Sequence, residues 1–475
     1  MSDVVAITAL LPVWTGEEYL EECIQSIRNQ TFSDWEMLII GEPDGPPGVK
    51  RIALSFAFTD PRINWIENET HLGLPATLNR GIRLARGKYI ARVDADDPSM
   101  PLRFEKQRAF LDRRPDVDIL GSQCETVSPR GFWISDHPTK PENISSSMLF
   151  KVSIWHSSII FRRESFLSGR WAYPDELAED FALWLSLLDK ATFVNLDDPL
   201  VKRRTGYGNN VTYLKGAMAE YAARSLISNA IKKYFGIPVA PYPSDRFLYY
   251  VYFPCEFVKI SELSDWFGDS VSILLEMESA NFKYQVFDHA ALSRTLRNRW
   301  NWMLNGSQIA LCPTYSHILQ PLPDKSDRCF SEDLKTSLSN SPANFCCAAS
   351  LSDIVSSVRK IAFSYSQFLT DLFRHLPVVI IFGLGYFFDK FVRDKPDLDE
   401  YFIVTAYCDN QYSNFDPIIY NKPIISPDNI LAFQFDYVLI ASIQYFSEIH
   451  SQLVDLGVPM NKILPLEIFR FKGLK

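Results

Sequence analysis

Three acids, Asp94, Asp96 and Asp97, end the apolar stretch Lys88 to Val93, with Ala95 alone between the first two. A strand that stops in carboxylates delivers them to a ligand edge, and two carboxylates one residue apart there project toward the same pocket. Such hard oxygens suit Mg2+ or Mn2+, which bind one or two carboxylates and complete their shell with water and phosphate oxygens. Asp96 is the preferred ligand. An isolated triplet of this kind is more often a solvated acidic turn. Here an apolar strand leads in, and Pro98, Met100, Pro101 and Arg103 lead out to the amphipathic pattern of Phe104 to Leu111.

A second acidic pair, Glu179 and Asp180, opens a helix whose Phe181, Leu183, Trp184, Leu187 and Leu188 anchor it in a core. Ordinary end-charge bias at a helix N-terminus explains such acids equally well. The chemical reading makes Asp180 a general base. His156 stands just before the apolar strand Ile159 to Phe161, where a satisfied buried histidine is nearly as good a reading as a functional one.

The elements that must position these residues follow from hydrophobic periodicity. Val4 to Val13 reads as a strand, and Leu20, Cys23, Ile24 and Ile27 follow at helical spacing. Glu36 to Ile40 and Ile63 to Glu67 read as strands, and Leu78 to Ala85 as a helix closed by Gly87. The pattern is β, α, β, β, α and then the acid-bearing strand. It predicts an α/β fold with a mostly parallel sheet covered on both faces and ligands at the carboxyl ends of the strands.

At 475 residues the chain exceeds one core. We expect domains at 1–213, 214–375 and 376–475. Hydrophobic residues at 47% and charged residues at 22% exclude disorder and fibrous repeats. The net charge of -9 argues against a nucleic-acid partner, which calls for a broad basic surface. The eight cysteines lack paired spacing, which fits a reducing cytoplasm. The first residues lack a basic region, so no secretory signal is expected. The longest apolar run, Val378 to Phe388, is about half the roughly 20 residues of a membrane span, so no transmembrane helix is expected.

Leu214 to about Asn305 reads as helical and rich in packing aromatics (Tyr249, Tyr250, Tyr252, Phe253, Trp266, Trp300, Trp302), and Leu322 to Ser352 as loop or linker. Beyond it, strand Val378 to Phe382, Gly383 and Gly385, a helix, strand Tyr401 to Tyr407 with Asp409, and strand Tyr437 to Ala441 suggest a small Rossmann-like module. The dinucleotide fingerprint is incomplete, because Phe388 stands where a third small residue belongs. A structural or partner-docking role is the better reading of it.

Residues Val4 to about Thr212 resemble the inverting family 2 glycosyltransferases of the GT-A fold. The resemblance is carried by Leu11, Pro12, Val13 with Gly16, Glu17 and Tyr19; by Ser26 to Phe32; by Asn79 with Gly81; by Gly87 to Asp97; by His156 to Arg163; and by Glu179, Asp180, Leu183 and Trp184. It implies that Pro12, Glu17, Glu42 and Asp94 line a nucleotide-sugar site, that Asp96 holds Mn2+ or Mg2+, and that Asp180 is the catalytic base. His156 and Glu179 would lie beside the acceptor or the diphosphate.

Two departures stand out. Gly41 and Glu42 replace the two aspartates usual after the second strand, which weakens the expectation of a UDP-sugar donor. The stretch Lys202 to Gly208 lacks the family's histidine, leaving Lys202, Arg203 and Arg204 to meet the diphosphate. The resemblance implies transfer, with inversion, to a saccharide or lipid-linked acceptor in surface polysaccharide or glycolipid assembly, with a peripheral contact to the inner membrane face compatible with it. A nucleotidyltransferase and a noncatalytic nucleotide-sugar scaffold are the rival readings, and neither needs Asp180.

Overall fold

The computed structural model describes residues 5–128, 131–205, 216–238, 263–306, 321–323, 326, 328–339, 350–374, 377–384, 402–414, 418–419, 421–441 and 446–466. The chain divides into two compact units, Met1–Tyr242 with Tyr284–Leu292, and Pro243–Lys283 with Ser293–Lys475.

The first unit runs β1 (Ile7–Val13), α1 (Glu17–Arg28), β2 (Trp35–Gly41), α2 (Pro47–Thr59), β3 (Ile63–Glu67), α3 (Leu74–Leu84), β4 (Tyr89–Arg92) and α4 (Arg103–Arg113). It continues with β5 (Ile119–Ser128), β6 (Gly131–Ile134), α5 (Pro141–Met148), a 3-10 turn at His156–Ser158, β7 (Ile160–Arg162), α6 (Arg163–Leu167), α7 (Glu179–Ser186), β8 (Phe193–Arg204) and α8 (Gly216–Phe235). The sheet order is β3-β2-β1-β4-β7-β5-β6, with β8 beside β5. β3, β2, β1 and β4 are parallel, and β7 is antiparallel to β4. All of β1 and β2 is buried, which accounts for their unbroken apolar sequences in a sheet covered on both faces.

The pattern expected from sequence missed α2. Pro43, Gly45, Pro46, Pro47 and Gly48 read as loop, yet Pro47 takes the helix start, where its missing N–H costs nothing, and Val49, Ala53 and Phe56 bury one face.

Buried polar braces set the site-bearing strand. Thr8 Oγ1 donates to Glu36 Oε1 at 2.7 Å, Arg86 N and Nε donate to the same carboxylate at 2.7 Å each, and Gly87 N donates to Thr8 Oγ1 at 2.8 Å. A Cβ at Gly87 would collide with the Thr8 backbone, so glycine is required where β4 begins. At the other end of β4, the fully buried Arg103 donates through Nη2 to Arg92 O at 2.8 Å and Ile159 O at 3.1 Å, tying α4 to β4 and to the start of β7.

The second unit includes α9 (Leu263–Tyr284), α10 (His289–Gly306), α11 (Phe330–Ser339), α12 (Leu351–Arg374), β9 (Val378–Phe382), β10 (Ile403–Cys408), β11 (Ile418–Ile419), β12 (Lys422–Ile425), β13 (Tyr437–Ile440), α13 (Phe446–Asp455) and β14 (Ile463–Pro465). α11 lies inside the stretch read as linker. Its Phe330, Leu334 and Leu338 are buried, and Glu278 accepts Phe330 N and Ser331 N at 2.6 and 2.9 Å, capping its start from outside the segment. A cap supplied from a distant helix cannot be read locally.

The C-terminal strands form a sheet of order β11-β12-β10-β9-β13-β14, parallel from β12 to β14. Gly383 has φ 92°, and both Asp409 oxygens are engaged by backbone N–H groups, Leu384 N at 2.9 Å and Gln411 N at 2.8 Å. Asp409 therefore shapes the turn after β9 and β10. Gly385, Phe388 and the helix expected after them, like Gly206, Tyr207 and Gly208 and the aromatics Tyr249, Tyr250, Tyr252 and Phe253, lie outside the described residues, as does the Trp266 side chain. No helix among the described residues is long and apolar enough to cross a membrane.

Candidate active site

The acids after β4 are set around a cation that the sequence reading did not single out. Arg92, 2% exposed, points Nη2 at Asp94 Oδ1, 2.6 Å away, and Nη1 at Val93 O. One arginine inside an otherwise apolar strand was the available signal, because guanidinium is buried only for a charged or highly polar purpose. Cys23 Sγ donates to Asp94 O at 3.0 Å and pins the loop to α1.

Burial, reinforced by Asp94, pushes the Asp96 carboxyl up to about 6 and that of Asp97 up to about 7. Asp97 accepts Arg204 N at 2.9 Å and faces inward, so Asp96 is the acid of the pair left for a ligand. Arg204 Nη1 donates to Asp96 O at 2.6 Å, and Nη2 meets Glu22 Oε2 at 2.5 Å. The cation suggested for the diphosphate thus stands against the acidic loop. Arg203 instead stacks on Trp155, 4.0 Å from the ring centroid.

Glu179 and Asp180 open α7, as expected. The preceding Ala178 holds a left-handed conformation, φ 65° and ψ 49°, a strain that persists where the surroundings fix it and that is often found at functional sites. Phe181 and Trp184 are buried and hold the helix in place. Burial raises the Asp180 carboxyl above the usual range, with Asp94 adding to the rise and Arg92 opposing it. Burial and Asp180 together push Glu179 up to about 7. The two acidic clusters, distant in sequence, therefore share one electrostatic site with Arg92 between them.

His156 is held by Tyr173, Nε2 to hydroxyl at 2.9 Å, with Glu179 Oε1 3.8 Å from Nδ1. Burial and the nearby Arg92 charge push the imidazole well below its ordinary value. It is neutral at pH 7, and its contact with Glu179 is not an ion pair. Sequence left this histidine between core and site, and the structure gives it both surroundings.

The residues expected at the nucleotide edge part company. Pro12 is buried in β1 opposite Ile40. Glu17 is exposed in the first turn of α1 against Gly48, where a Cβ would strike its carboxylate. Glu42, expected to line the nucleotide-sugar site, is turned inward instead. It is 7% exposed, and its oxygens accept from Asn68 Nδ2 (2.9 Å), Leu72 N (3.1 Å), Gly73 N (3.0 Å) and Thr77 Oγ1 (2.9 Å). A carboxylate so saturated organises the loop before α3. Gly41 is explained too, because any side chain there would occupy the space of the Trp65 ring.

No group of three or more His, Cys, Asp or Glu among the described residues is placed to hold a metal alone. Burial without enough positive charge, visible in the raised Asp96 and Asp97, is nevertheless the state that a hard cation relieves. The donor set therefore fits Mg2+ or Mn2+ held by Asp96 and donor phosphates.

These acids predict a pH effect on stability. Asp96, Asp97 and Glu179 bind protons more tightly folded than unfolded, so the stability they give is full below about pH 4 and is lost as pH rises through about 6 to 7. Thermal midpoints of the metal-free protein should fall across pH 5 to 8 more steeply than those of Asp97→Asn.

Residues 8–169 match the family model described as glycosyl transferase family 2, and residues 377–464 match that of C2185-like, N-terminal. Over 176 residues the chain is 32% identical to an uncharacterized glycosyltransferase of Methanocaldococcus jannaschii, covering 36% of this chain and 59% of that protein. It is 27% identical over 223 residues to the O-antigen biosynthesis glycosyltransferase WbnJ of Escherichia coli, covering 46% and 86%. It is 32% identical over 207 residues to the putative glycosyltransferase EpsE of Bacillus subtilis, covering 42% of this chain and 72% of that one. With the acid-bearing strand and the parallel sheet inside the matched residues, and with nearly three quarters of EpsE covered at 32% identity, this chain belongs to glycosyl transferase family 2.

Proposed function

We propose that residues 1–213 transfer a sugar from a nucleoside diphosphate donor to a hydroxyl of a saccharide or lipid-linked acceptor, with inversion, in polysaccharide or glycolipid assembly. The observation that carries this reading is the placement of a buried, proton-avid carboxylate, Asp180, and the Asp94–Asp96 pair around one guanidinium. Relatives named for O-antigen and amylovoran biosynthesis support the pathway class.

Asp180 takes the acceptor hydroxyl proton as the hydroxyl oxygen attacks the anomeric carbon and the bond to the diphosphate breaks on the opposite side. Its raised proton affinity makes it a stronger base than a solvated aspartate, provided that the pH keeps it ionised. Asp96 would hold Mn2+ or Mg2+, which supplies charge neutralisation to the departing diphosphate. Arg204 adds a fixed positive charge beside Asp96. His156 and Glu179 line the same buried edge and orient the acceptor.

The test is calorimetric titration of UDP-, GDP-, CDP- and TDP-sugars with and without Mn2+. Cation-dependent binding of one nucleotide class should weaken at least about 10-fold, roughly 1.4 kcal/mol, in Asp96→Ala. Binding that ignores both the cation and Asp96 would favour the noncatalytic scaffold.

A further inference from the structure

Tyr173, in the segment between α6 and α7, is 3% exposed and is held at both its backbone and its ring. Asn79 in α3 clamps the backbone, donating through Nδ2 to Tyr173 O at 2.8 Å and accepting Tyr173 N on Oδ1 at 3.0 Å. The ring stacks on Phe166, with centroids 5.7 Å apart. The hydroxyl is thereby delivered to His156 Nε2, 2.9 Å away, while Trp184 stands edge-on to the imidazole at 6.0 Å. Burial raises the hydroxyl well above its usual range, with Arg92 opposing and Glu179, Asp180 and Asp94 adding to the rise, so Tyr173 stays protonated among the charged groups of the site.

A neutral imidazole carries one N–H and one lone pair, and its partners decide which nitrogen holds which. Among the described residues the Tyr173 hydroxyl has one hydrogen-bond partner, His156 Nε2. Were Nε2 the donor, the buried tyrosine hydrogen would have no acceptor there, an arrangement that folded proteins avoid. With Tyr173 donating, both groups are satisfied and the ring proton falls on Nδ1. That nitrogen faces Glu179 Oε1 across 3.8 Å, which suits an N–H better than a lone pair and is too long for a hydrogen bond. Among the described residues, Nδ1–H is therefore left for an oxygen that a ligand supplies.

We propose that Tyr173 is a positioning residue that fixes His156 in the Nδ1–H form, making the imidazole a hydrogen-bond donor to an acceptor hydroxyl oxygen rather than a second base beside Asp180. The inference rests on the acceptor-site reading given under Proposed function. A hydroxyl has one hydrogen and two lone pairs. With the hydrogen on Asp180 and one lone pair on Nδ1–H, the other lone pair is left for the anomeric carbon.

The test is nitrogen NMR at pH 7 of the whole chain labelled in its histidine rings, the His156 signals being those lost in His156→Asn. Wild type should show the N–H shift at Nδ1 and the lone-pair shift at Nε2. Tyr173→Phe, which keeps the ring on Phe166 and loses only the hydroxyl, should draw the two shifts together as the proton divides between them. Glu179→Gln should leave them as in the wild type. Release of nucleoside diphosphate from UDP-, GDP-, CDP- and TDP-sugars with Mn2+ should fall about 10-fold in Tyr173→Phe, the contribution of one hydrogen bond. His156→Asn, whose amide donates from nearly the position of Nδ1, should release it about 10-fold faster than His156→Ala. A wild type with the proton on Nε2, or a Tyr173→Phe variant with wild-type shifts, overturns the inference whatever the activity. Equal rates in His156→Asn and His156→Ala overturn the donor role. A wild type that neither binds nor consumes any of the four nucleotide-sugars overturns the transferase reading, and the nitrogen shifts then decide the tautomer alone.

Discussion

Asp180→Asn should lower the rate of sugar transfer by about 10²- to 10⁴-fold in kcat, with donor nucleotide binding expected to stay at the wild-type level. The substitution keeps the size of the side chain and the acceptor oxygen that receives Phe181 N at 2.7 Å, so α7 retains its start. What it removes is the only property a base needs, the capacity to hold the acceptor's proton. The same residue gives the wild type a pH profile of defined sign. Burial raises the Asp180 carboxyl above the usual range, so the ionised base should be gained, and the rate should climb, as pH rises from the acid side. Single-turnover rates and donor affinities measured side by side check the expectation. Equal turnover by wild type and mutant would remove Asp180 from the mechanism and return the rival readings.

Arg92→Met carries the second large effect and combines stability with donor binding. Removing one partner of a buried ion pair costs about 3–5 kcal/mol. The Asp94 side chain is 34% exposed, so water screens part of the loss and the expected cost lies toward the lower end of that range. With the guanidinium gone, Asp94 loses its contact at 2.6 Å, and Asp96, Glu179 and Asp180 lose the cation that opposes their mutual repulsion. Donor affinity should fall together with the denaturation midpoint. Arg92→Lys should recover part of the stability, since it restores a point charge but not the planar fork that reaches Asp94 and Val93 O together. A Met variant with wild-type stability and donor affinity would show that Arg92 merely fills space.

Much of the fold was legible because the signals are local. β1 and β2 announce themselves as largely apolar runs, and α1 places Leu20, Cys23, Ile24 and Ile27 on one buried stripe. α2 was hidden behind its own turn-forming start. α11 was hidden because the group that caps it, Glu278, comes from a helix more than fifty residues earlier in the chain.

The candidate site divides in the same way. The sequence by itself determined the chemical inventory: hard oxygens at the end of an apolar strand, and an acidic start to an amphipathic helix. Those follow from residue types and periodicity, which a chain cannot disguise. Only the tertiary structure decided which acid is enclosed by donors in the interior and which is left on the loop. Asp97 and Glu42 have the same chemistry as Asp96, yet they are enclosed by donors from Arg204 and from the loop at Asn68 to Thr77. Sequence cannot show this, because a carboxylate's availability depends on which distant N–H groups the fold brings within hydrogen-bonding distance. The same holds for Arg92. Its charge acts on Asp94 and Asp180 together because the sheet brings the end of β4 and the start of α7 to one buried place.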